Sequence, residues 1–266
     1  HSVDSVIHFA GSIVVPESVA DPLGYYENNT CKSRTLIETA IRLGVRRFIF
    51  SSTAAVYGTA GLKPVREDAG LSPESPYGRS KLMTEWMLGD AAAAFPDFRY
   101  TALRYFNVAG ADPKGRTGQS TKGATHLIKV ACEAALGKRD RLQVFGTDYP
   151  TPDGTCVRDY IHVSDLAAAH RLALERLRGG GRSLIANCGY GHGYSVLEVV
   201  DSVRRVHGGE LNVEMAGRRP GDPPSIVANS ELAQRELGWA PARNDLDLIV
   251  SDALRWEDAL SRRNAT

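Results

Sequence analysis

The chain has 266 residues, enough for one large α/β domain or for a domain with a smaller lobe. Its 32 Lys and Arg nearly balance its 31 Asp and Glu, and both signs are mixed along the chain, so neither nucleic acid nor an anionic membrane surface is indicated as a partner. No apolar run approaches the ~20 residues of a membrane span. The four cysteines are scattered without metal-ligand spacing, which predicts free thiols, no metal site and a cytoplasmic protein.

The first half of the chain alternates between apolar strand patterns and helical spacing. SVIHFAG, residues 5–11, predicts a strand covered on both faces, because its apolar residues are nearly continuous. A helix that carries Asn28 and Asn29 near its start is predicted to end at Gly44. RRFIFSSTAAVYG, residues 46–58, predicts an apolar strand that runs into small hydroxyl residues.

A proline-rich loop then leads into a long helix, which we expect to run from residue 77 to 95 and to stop at Pro96. LRYFNVAG, residues 103–110, predicts a second apolar strand that ends in Asn and Gly. Further helices are predicted at 125–136, 164–178, 196–207, 230–237 and 246–261, and a returning strand at 183–189. This alternation is typical of an α/β fold with a parallel sheet.

SPYGRSK, residues 75–81, places Tyr77 and Lys81 about one helical turn apart, so that both side chains leave the same helix face. A phenol has a pKa of about 10, and a nearby ammonium favours the phenolate, so we interpret Tyr77 as a base. Strand 46–52 delivers Thr53 to the carboxyl edge of the sheet, where ligands bind in open α/β sheets. A YxxxK pattern alone also fits a solvated tyrosine and lysine.

The hydroxyl-ended strand, the YxxxK helix and the Asn-ended strand together resemble the extended short-chain dehydrogenase/reductase family, most closely its UDP-glucose 4-epimerases. Further matching stretches are HFAG at 8–11, NN at 28–29, FGTDYPTPDGTCVRDYIHV at 145–163 and RRPGD at 218–222. The resemblance implies a doubly wound, Rossmann-like parallel sheet with a smaller, discontinuous α/β substrate lobe. It assigns residues 1–108 and 164–189 to the NAD-binding domain, and residues 109–163 and 190–266 to the sugar-nucleotide-binding lobe.

The resemblance also assigns roles to individual residues. The expected NAD-binding residues are Phe9, Ala10, Gly11, Asn28, Thr53, Tyr77, Lys81 and Phe106. The expected residues around the UDP-sugar are Thr53, Tyr77, Asn107, His126, Leu127, Gln143, Val144, Phe145, Arg158, Arg219, Asp222 and Ile226. The chemistry agrees for the arginines, because guanidinium forks suit diphosphate oxygens. Two positions depart from the family pattern: Ile13 stands where epimerases often carry Lys, and His126 where most carry Asn.

The implied activity is the NAD-dependent interconversion of UDP-galactose and UDP-glucose. Tyr77, assisted by Thr53, removes the proton of the 4-hydroxyl, the C4 hydride goes to the nicotinamide, and the 4-keto sugar turns over before the hydride returns. Lys81 is expected to lower the pKa of Tyr77 and to hold the nicotinamide ribose.

Two alternatives to this activity stay open. Sugar-nucleotide 4,6-dehydratases and decarboxylases of the same family place an acidic residue just after the hydroxyl, where this chain has Ala54 and Ala55. The other alternative is a non-catalytic, truncated fragment.

No GxGxxG or GxxGxxG loop precedes a helix in this sequence, although that loop comes first in a doubly wound sheet. The resemblance implies roughly seventy more residues before His1, holding that loop and the first strands of the sheet. We therefore expect an N-terminally truncated copy. When full length it is expected to be a homodimer, in which the other face of the Tyr77 helix, with Leu82, Trp86 and Ala93, packs on the domain or on a second subunit.

Overall fold

The computed structural model describes residues 3–121, 123–219 and 222–264. Pro220 and Gly221 of the RRPGD stretch lie outside the described residues. Residues 1 and 266, the outer limits of the predicted domains, lie outside them as well. The strands are β1 Ser5–His8, β2 Arg47–Thr53, β3 Arg99–Tyr105, β4 Asn107–Ala109, β5 Leu142–Phe145, β6 Val157–Arg158, β7 Tyr160–His162, β8 Leu184–Cys188, β9 Tyr194–Ser195, β10 Val213–Ala216 and β11 Ser225–Ile226.

The helices follow the predicted alternation closely. They are α1 Val15–Ala20, α2 Pro22–Tyr25, α3 Lys32–Arg42, α4 Pro76–Ala94, α5 Leu127–Ala135, α6 Val163–Arg178, α7 Val196–His207, α8 Glu231–Leu237 and α9 Leu246–Asn264. A π-helical turn, Tyr26–Cys31, joins α2 to α3, and a 3₁₀ turn, Ala54–Val56, follows β2. No helix in the described part of the chain is long and apolar enough to span a membrane.

The main sheet has the order β1-β2-β3-β8, and its strands are parallel throughout. Its carboxyl edge is therefore shared by the ends of β2 and β3, which are paired as far as Thr53 and Tyr105. Helices α3 and α4 cover one face, where Phe48 and Phe50 are buried with Leu88. The predicted α/β fold with a parallel central sheet is confirmed.

Strand β1 differs from its prediction. It ends at His8, and in the described structure it pairs with β2 alone, so it lies at the edge of the sheet. Ile7 is 39% exposed and Phe9 is 58% exposed. The expectation that the whole stretch 5–11 is covered on both faces is therefore wrong.

Helix α4 begins and ends at clear signals. The Ser75 hydroxyl accepts the N–H of Gly78 at 3.1 Å, and Pro76 occupies the first turn, where a missing N–H costs nothing. A Cβ at Gly78 would lie 2.6 Å from the carbonyl oxygen of Ala55. The first turn of α4 therefore packs directly on the 3₁₀ turn, which brings Tyr77 to the end of β2.

A second layer of short sheets and helices contains the remaining core. Residues of α5, α7 and α9 pack around Leu142 and Val144 of β5. Helix α8 does not join this cluster, because Ala233 and Leu237 pack with Ile49, Leu103 and other residues of the main sheet and α6. Helix α8 therefore packs on the main sheet and α6, and its bounds lie close to those predicted.

Candidate active site

The carboxyl end of β2 brings Thr53 and Tyr77 together. The Thr53 side chain is 9% exposed, and its hydroxyl accepts the N–H of Ala55 at 3.1 Å. Tyr77 is half-buried in the first turn of α4, and its phenol lies close enough to the Thr53 hydroxyl for that hydroxyl to influence its pKa. Two of the predicted catalytic residues thus share one site.

The pKa of Tyr77 is raised above its ordinary value, because burial disfavours the phenolate, while the hydrogen bond with Thr53 lowers it to a smaller extent. This differs from the expectation that Lys81 lowers the pKa. The reason is the contact that the ammonium makes: Nζ of Lys81 donates to the carbonyl oxygen of Ser51 at 3.0 Å. Although Tyr77 and Lys81 share a helix face, the Lys81 ammonium binds the Ser51 carbonyl and not the Tyr77 phenol.

Lys81 is an unusual buried lysine. It is 3% exposed and lies 5.0 Å from the centre of the Phe50 ring, and no carboxylate of the described residues forms an ion pair with it. Burial lowers its pKa to about 8. A Cβ at Gly11 would lie 3.5 Å from Nζ, so the loop after β1 passes close to the ammonium. In the described structure the Ser51 carbonyl takes one of its three N–H groups, which leaves two for a ligand.

The π-helical turn directs both asparagines toward the loop after β1. The Asn28 amide donates to the Ser12 hydroxyl at 2.9 Å, and its oxygen accepts from Lys32 at 3.0 Å. Asn29 is 2% exposed and bonds both the N–H and the carbonyl of Ser12, at 2.7 and 2.9 Å, and the Ser80 hydroxyl at 3.1 Å. Asn29 therefore fixes this loop against α4, a role that the NN doublet did not reveal.

The other predicted cofactor residues lie in two places. Phe9 stacks on the ring of His170 with the centroids 4.7 Å apart, and Ala10 beside it is exposed. Phe106 is 6% exposed and is buried in one cluster with Leu82 and Ile226. Ile226, predicted to lie beside the sugar, is thus placed near the 3₁₀ turn that follows Thr53.

A charged group surrounds Asp222. The Arg219 Nε donates to the Asp222 carboxylate at 2.9 Å, and its guanidinium lies 4.6 Å from the centre of the Phe145 ring. Arg158 approaches the same carboxylate, with 3.9 Å between its nitrogen and the oxygen. Four predicted substrate residues are therefore assembled into one group with two guanidinium forks.

Strand β5 carries two more of the predicted substrate residues. Gln143 is exposed and donates to the Glu214 carboxylate at 3.0 Å. Val144 is fully buried in the core of the second layer, so its side chain cannot reach a ligand. A substrate role for Val144 is confined to its backbone.

Asn107, His126 and Leu127 line one small cavity between β4, α5 and α9. The His126 ring nitrogen Nδ1 pairs with the Gln119 amide at 2.9 Å, and burial lowers the pKa of His126, so the ring is neutral near pH 7. Among the described residues, no group of three or more His, Cys, Asp or Glu side chains is placed to hold a metal ion.

A sequence model of the NAD dependent epimerase/dehydratase family matches residues 1–189. The UDP-glucose 4-epimerase of Azospirillum brasilense is 60% identical over 262 residues, covering 98% of this chain and 75% of that protein. The UDP-glucose 4-epimerase of Halalkalibacterium halodurans is 47% identical over 256 residues, covering 96% of this chain and 76% of that protein.

Solved structures agree with these relatives. The UDP-glucose 4-epimerase from Brucella ovis in complex with NAD has a TM-score of 0.91 at 46% identity, covering 95% of this chain and 77% of that one. The UDP-glucose-4-epimerase from Stenotrophomonas maltophila, with bound NAD and formylated UDP-arabinopyranose, has a TM-score of 0.94 at 42% identity, covering 98% and 78%. The sequence match, the parallel sheet and the Thr53–Tyr77 site agree, and the chain belongs to the NAD dependent epimerase/dehydratase family.

Proposed function

We propose that the protein interconverts UDP-galactose and UDP-glucose as an NAD-dependent 4-epimerase. The observation that carries this proposal is the Tyr77 phenol beside the Thr53 hydroxyl at the carboxyl end of β2. One turn along the same helix lies the buried Lys81, which has no carboxylate partner among the described residues. Curated relatives of 60% and 47% identity carry this activity.

The residues of the site fit the nicotinamide end of NAD. Lys81 offers two free N–H donors to ribose hydroxyls, and Gly11 keeps a side chain away from them. Asn28 and the loop that it holds lie on the same side. When bound, NAD accepts a hydride from C4 of the sugar and returns it to the opposite face.

The protein residues move the proton. Tyr77 accepts the proton of the 4-hydroxyl, and Thr53, which both donates and accepts hydrogen bonds, orients that hydroxyl. With a pKa of about 8, Lys81 is largely protonated at pH 7, so its charge favours the phenolate wherever substrate binding brings the two groups closer. Tyr77 returns the same proton when the 4-keto sugar is reduced, so no net redox change occurs.

The charged group around Asp222 fits the diphosphate of a nucleotide sugar. Arg219 is partly exposed and is held by one carboxylate and one aromatic face, so a phosphate can take the place of Asp222. Arg158 supplies a second fork from β6. Ile226, of intermediate size, favours hexoses over bulkier N-acetylhexosamines in the sugar site.

A 4,6-dehydratase or decarboxylase is not favoured by the turn after Thr53. Ala54 is buried, and the N–H of Ala55 binds the Thr53 hydroxyl, so this turn offers no carboxyl group to protonate a leaving hydroxyl. Elimination needs such an acid near neutral pH.

The protein is also proposed to be a cytoplasmic homodimer. All four cysteines are free thiols, which suits a reducing compartment. On α4, Leu82 is buried in its own subunit, whereas Trp86 is 58% exposed and is available to a second copy. We expect Trp86→Glu to shift sedimentation toward the monomer, and an unchanged dimer would exclude this face.

Isotope retention tests the proposed reaction. The NAD-loaded protein is incubated with UDP-galactose that carries deuterium at C4, and the product is analysed by NMR and mass spectrometry. We expect UDP-glucose with the deuterium still at C4, because the hydride is held within the site between the two half-reactions. A 4-keto-6-deoxy product, or UDP-glucose without deuterium, would contradict the proposal.

A further inference from the structure

Glu85 is a buried carboxylate on the same face of α4 as Tyr77 and Lys81, one turn beyond the lysine. It is 3% exposed and holds the guanidinium of Arg104 from β3 in a bidentate pair, at 3.0 and 2.6 Å. It also accepts the hydroxyl proton of Ser52 at 2.5 Å. The proposed proton transfer does not use this group.

The Ser52 contact completes a series along the end of β2. Three consecutive residues of β2 each face one residue of α4, and these α4 residues are one turn apart. Ser51 and Ser52 are hydrogen-bonded to Lys81 and Glu85, and Thr53 lies beside Tyr77. A shift of α4 along β2 would therefore disturb all three contacts together.

Arg104 extends the same contact into the sheet. It donates to the Tyr57 hydroxyl at 2.9 Å, and that hydroxyl donates to Asn187 of β8 at 2.7 Å. Every polar group in this chain of contacts has a partner, which makes such a network rigid. Helix α4 is thus tied to β2, β3 and β8 beside the catalytic site.

A buried ion pair is weak evidence for stability, because well-packed apolar residues of the same volume often stabilise a fold equally well. Such pairs are best explained where a unique geometry is needed. Here the geometry is the placement of the base Tyr77 beside Thr53, and small misplacements of such groups reduce rates strongly.

We propose that Glu85 is a positioning residue that fixes α4 on the end of β2, and thereby holds Tyr77 at Thr53 and Lys81 at Ser51. This inference rests on the proposed function, since Tyr77 is taken there as the base. Glu85 itself does not touch the substrate.

The test replaces Glu85 with Gln in the NAD-loaded protein. We expect kcat for UDP-galactose to fall by about 10- to 100-fold with little change in KM, because the reacting groups are misplaced while the nucleotide contacts remain. The limb of the kcat profile on which activity rises with pH should move to higher pH, because Tyr77 moves away from the Thr53 hydroxyl that lowers its pKa.

Asp252→Asn is the matched control. Asp252 of α9 is also buried, at 2% exposure, and it also binds guanidinium groups, from Arg243 and Arg255. We expect this variant to lose stability but to keep the pH profile of the wild type. An equal displacement of the limb in both variants, or no displacement in Glu85→Gln, would overturn the proposal.

Two further measurements keep the test decisive. If Glu85→Gln does not fold, Ser52→Ala removes only the hydrogen bond between Glu85 and β2. This variant should also move the rising part of the kcat–pH profile to higher pH. A tyrosinate absorbance titration, taken as the difference from Tyr77→Phe, follows the pKa of Tyr77 without turnover. The subtraction removes the absorbance of the tyrosines that ionise independently of Tyr77.

In wild type this titration must give a lower pKa for Tyr77 than in the Glu85 or Ser52 variant. Equal pKa values of Tyr77 in wild type and variant would refute the positioning role, even if the protein showed no epimerase turnover. Failure of the proposed function, in contrast, would be seen only in the turnover measurement.

Discussion

Lys81→Met is predicted to stabilise the protein without NAD while abolishing its activity. Lys81 is 3% exposed, has no carboxylate partner among the described residues, and has a pKa lowered from 10.5 to about 8 by burial. A folded state that lowers the pKa of a lysine disfavours its charged form. Burying the charged Lys81 therefore lowers the free energy of unfolding, and a neutral, unbranched side chain at this position would remove that loss.

The size of this cost follows from the pKa. A fall from 10.5 to about 8 corresponds to about 3 kcal/mol of unfolding free energy, since each pKa step of one is worth about 1.4 kcal/mol. The lost hydrogen bond to the Ser51 carbonyl offsets about 1 kcal/mol of this. We expect Lys81→Met to be about 2 kcal/mol more stable than wild type at pH 7.

The sign of the pH dependence is fixed by the same pKa. Below about pH 8 the lysine is charged in both folded and unfolded states, so the full cost is present. As pH rises from about 8 to 10.5, the folded state loses its proton first, and the cost disappears. The advantage of Lys81→Met should therefore shrink over this range.

Urea unfolding, followed by circular dichroism at pH 7, 8 and 9, measures the difference. Lys129→Met is the matched control, because Lys129 is also buried, at 8% exposure, but pairs with Glu257 and Glu133. That substitution should lower the unfolding free energy by about 1–3 kcal/mol. A destabilised Lys81→Met at pH 7, or an advantage that does not shrink with pH, would refute the reasoning.

Two predictions concern the substrate. Arg219→Ala should raise KM for UDP-galactose about tenfold with kcat nearly unchanged, the size of one charge-assisted hydrogen bond, and steady-state kinetics would show it. Arg219→Lys should not restore KM, since an ammonium lacks the fork; full restoration would contradict a bidentate contact between Arg219 and the diphosphate. Ile226→Ala should raise the efficiency on UDP-N-acetylglucosamine relative to UDP-glucose, in a competition assay, and lower the unfolding free energy by about 2–5 kcal/mol. An unchanged ratio would place Ile226 away from the sugar.

Local signals predicted most of the elements. The bounds of α4 follow from Ser75, Pro76 and Pro96, which act on the backbone within one turn and need no knowledge of the fold. The parallel strand pattern also predicted that β2 delivers Thr53 to the carboxyl edge of the sheet, where the Tyr77 helix begins. A run of apolar residues, in contrast, does not record how many neighbours a strand has, so the exposure of Ile7 and Phe9 does not follow from the pattern alone.

The parts that failed depend on distances in space. Spacing placed Tyr77 and Lys81 on one face, but only the structure shows that the ammonium binds Ser51 and that burial dominates the pKa of the phenol. The packing of α8 on the main sheet is a long-range contact without a local signal. Glu85 did leave a signal, since it continues the four-residue spacing of Tyr77 and Lys81 as a charged residue on a buried face.

Tyr77→Phe in the NAD-loaded protein tests the identity of the base most directly. The phenyl ring keeps the packing of the first turn of α4, and the substitution removes only the hydroxyl beside Thr53. We predict that kcat for UDP-galactose falls by about 10²–10⁴-fold, while thermal stability and NAD content stay close to wild type. A Tyr77→Phe protein that turns over UDP-galactose at a near-normal rate would contradict this account.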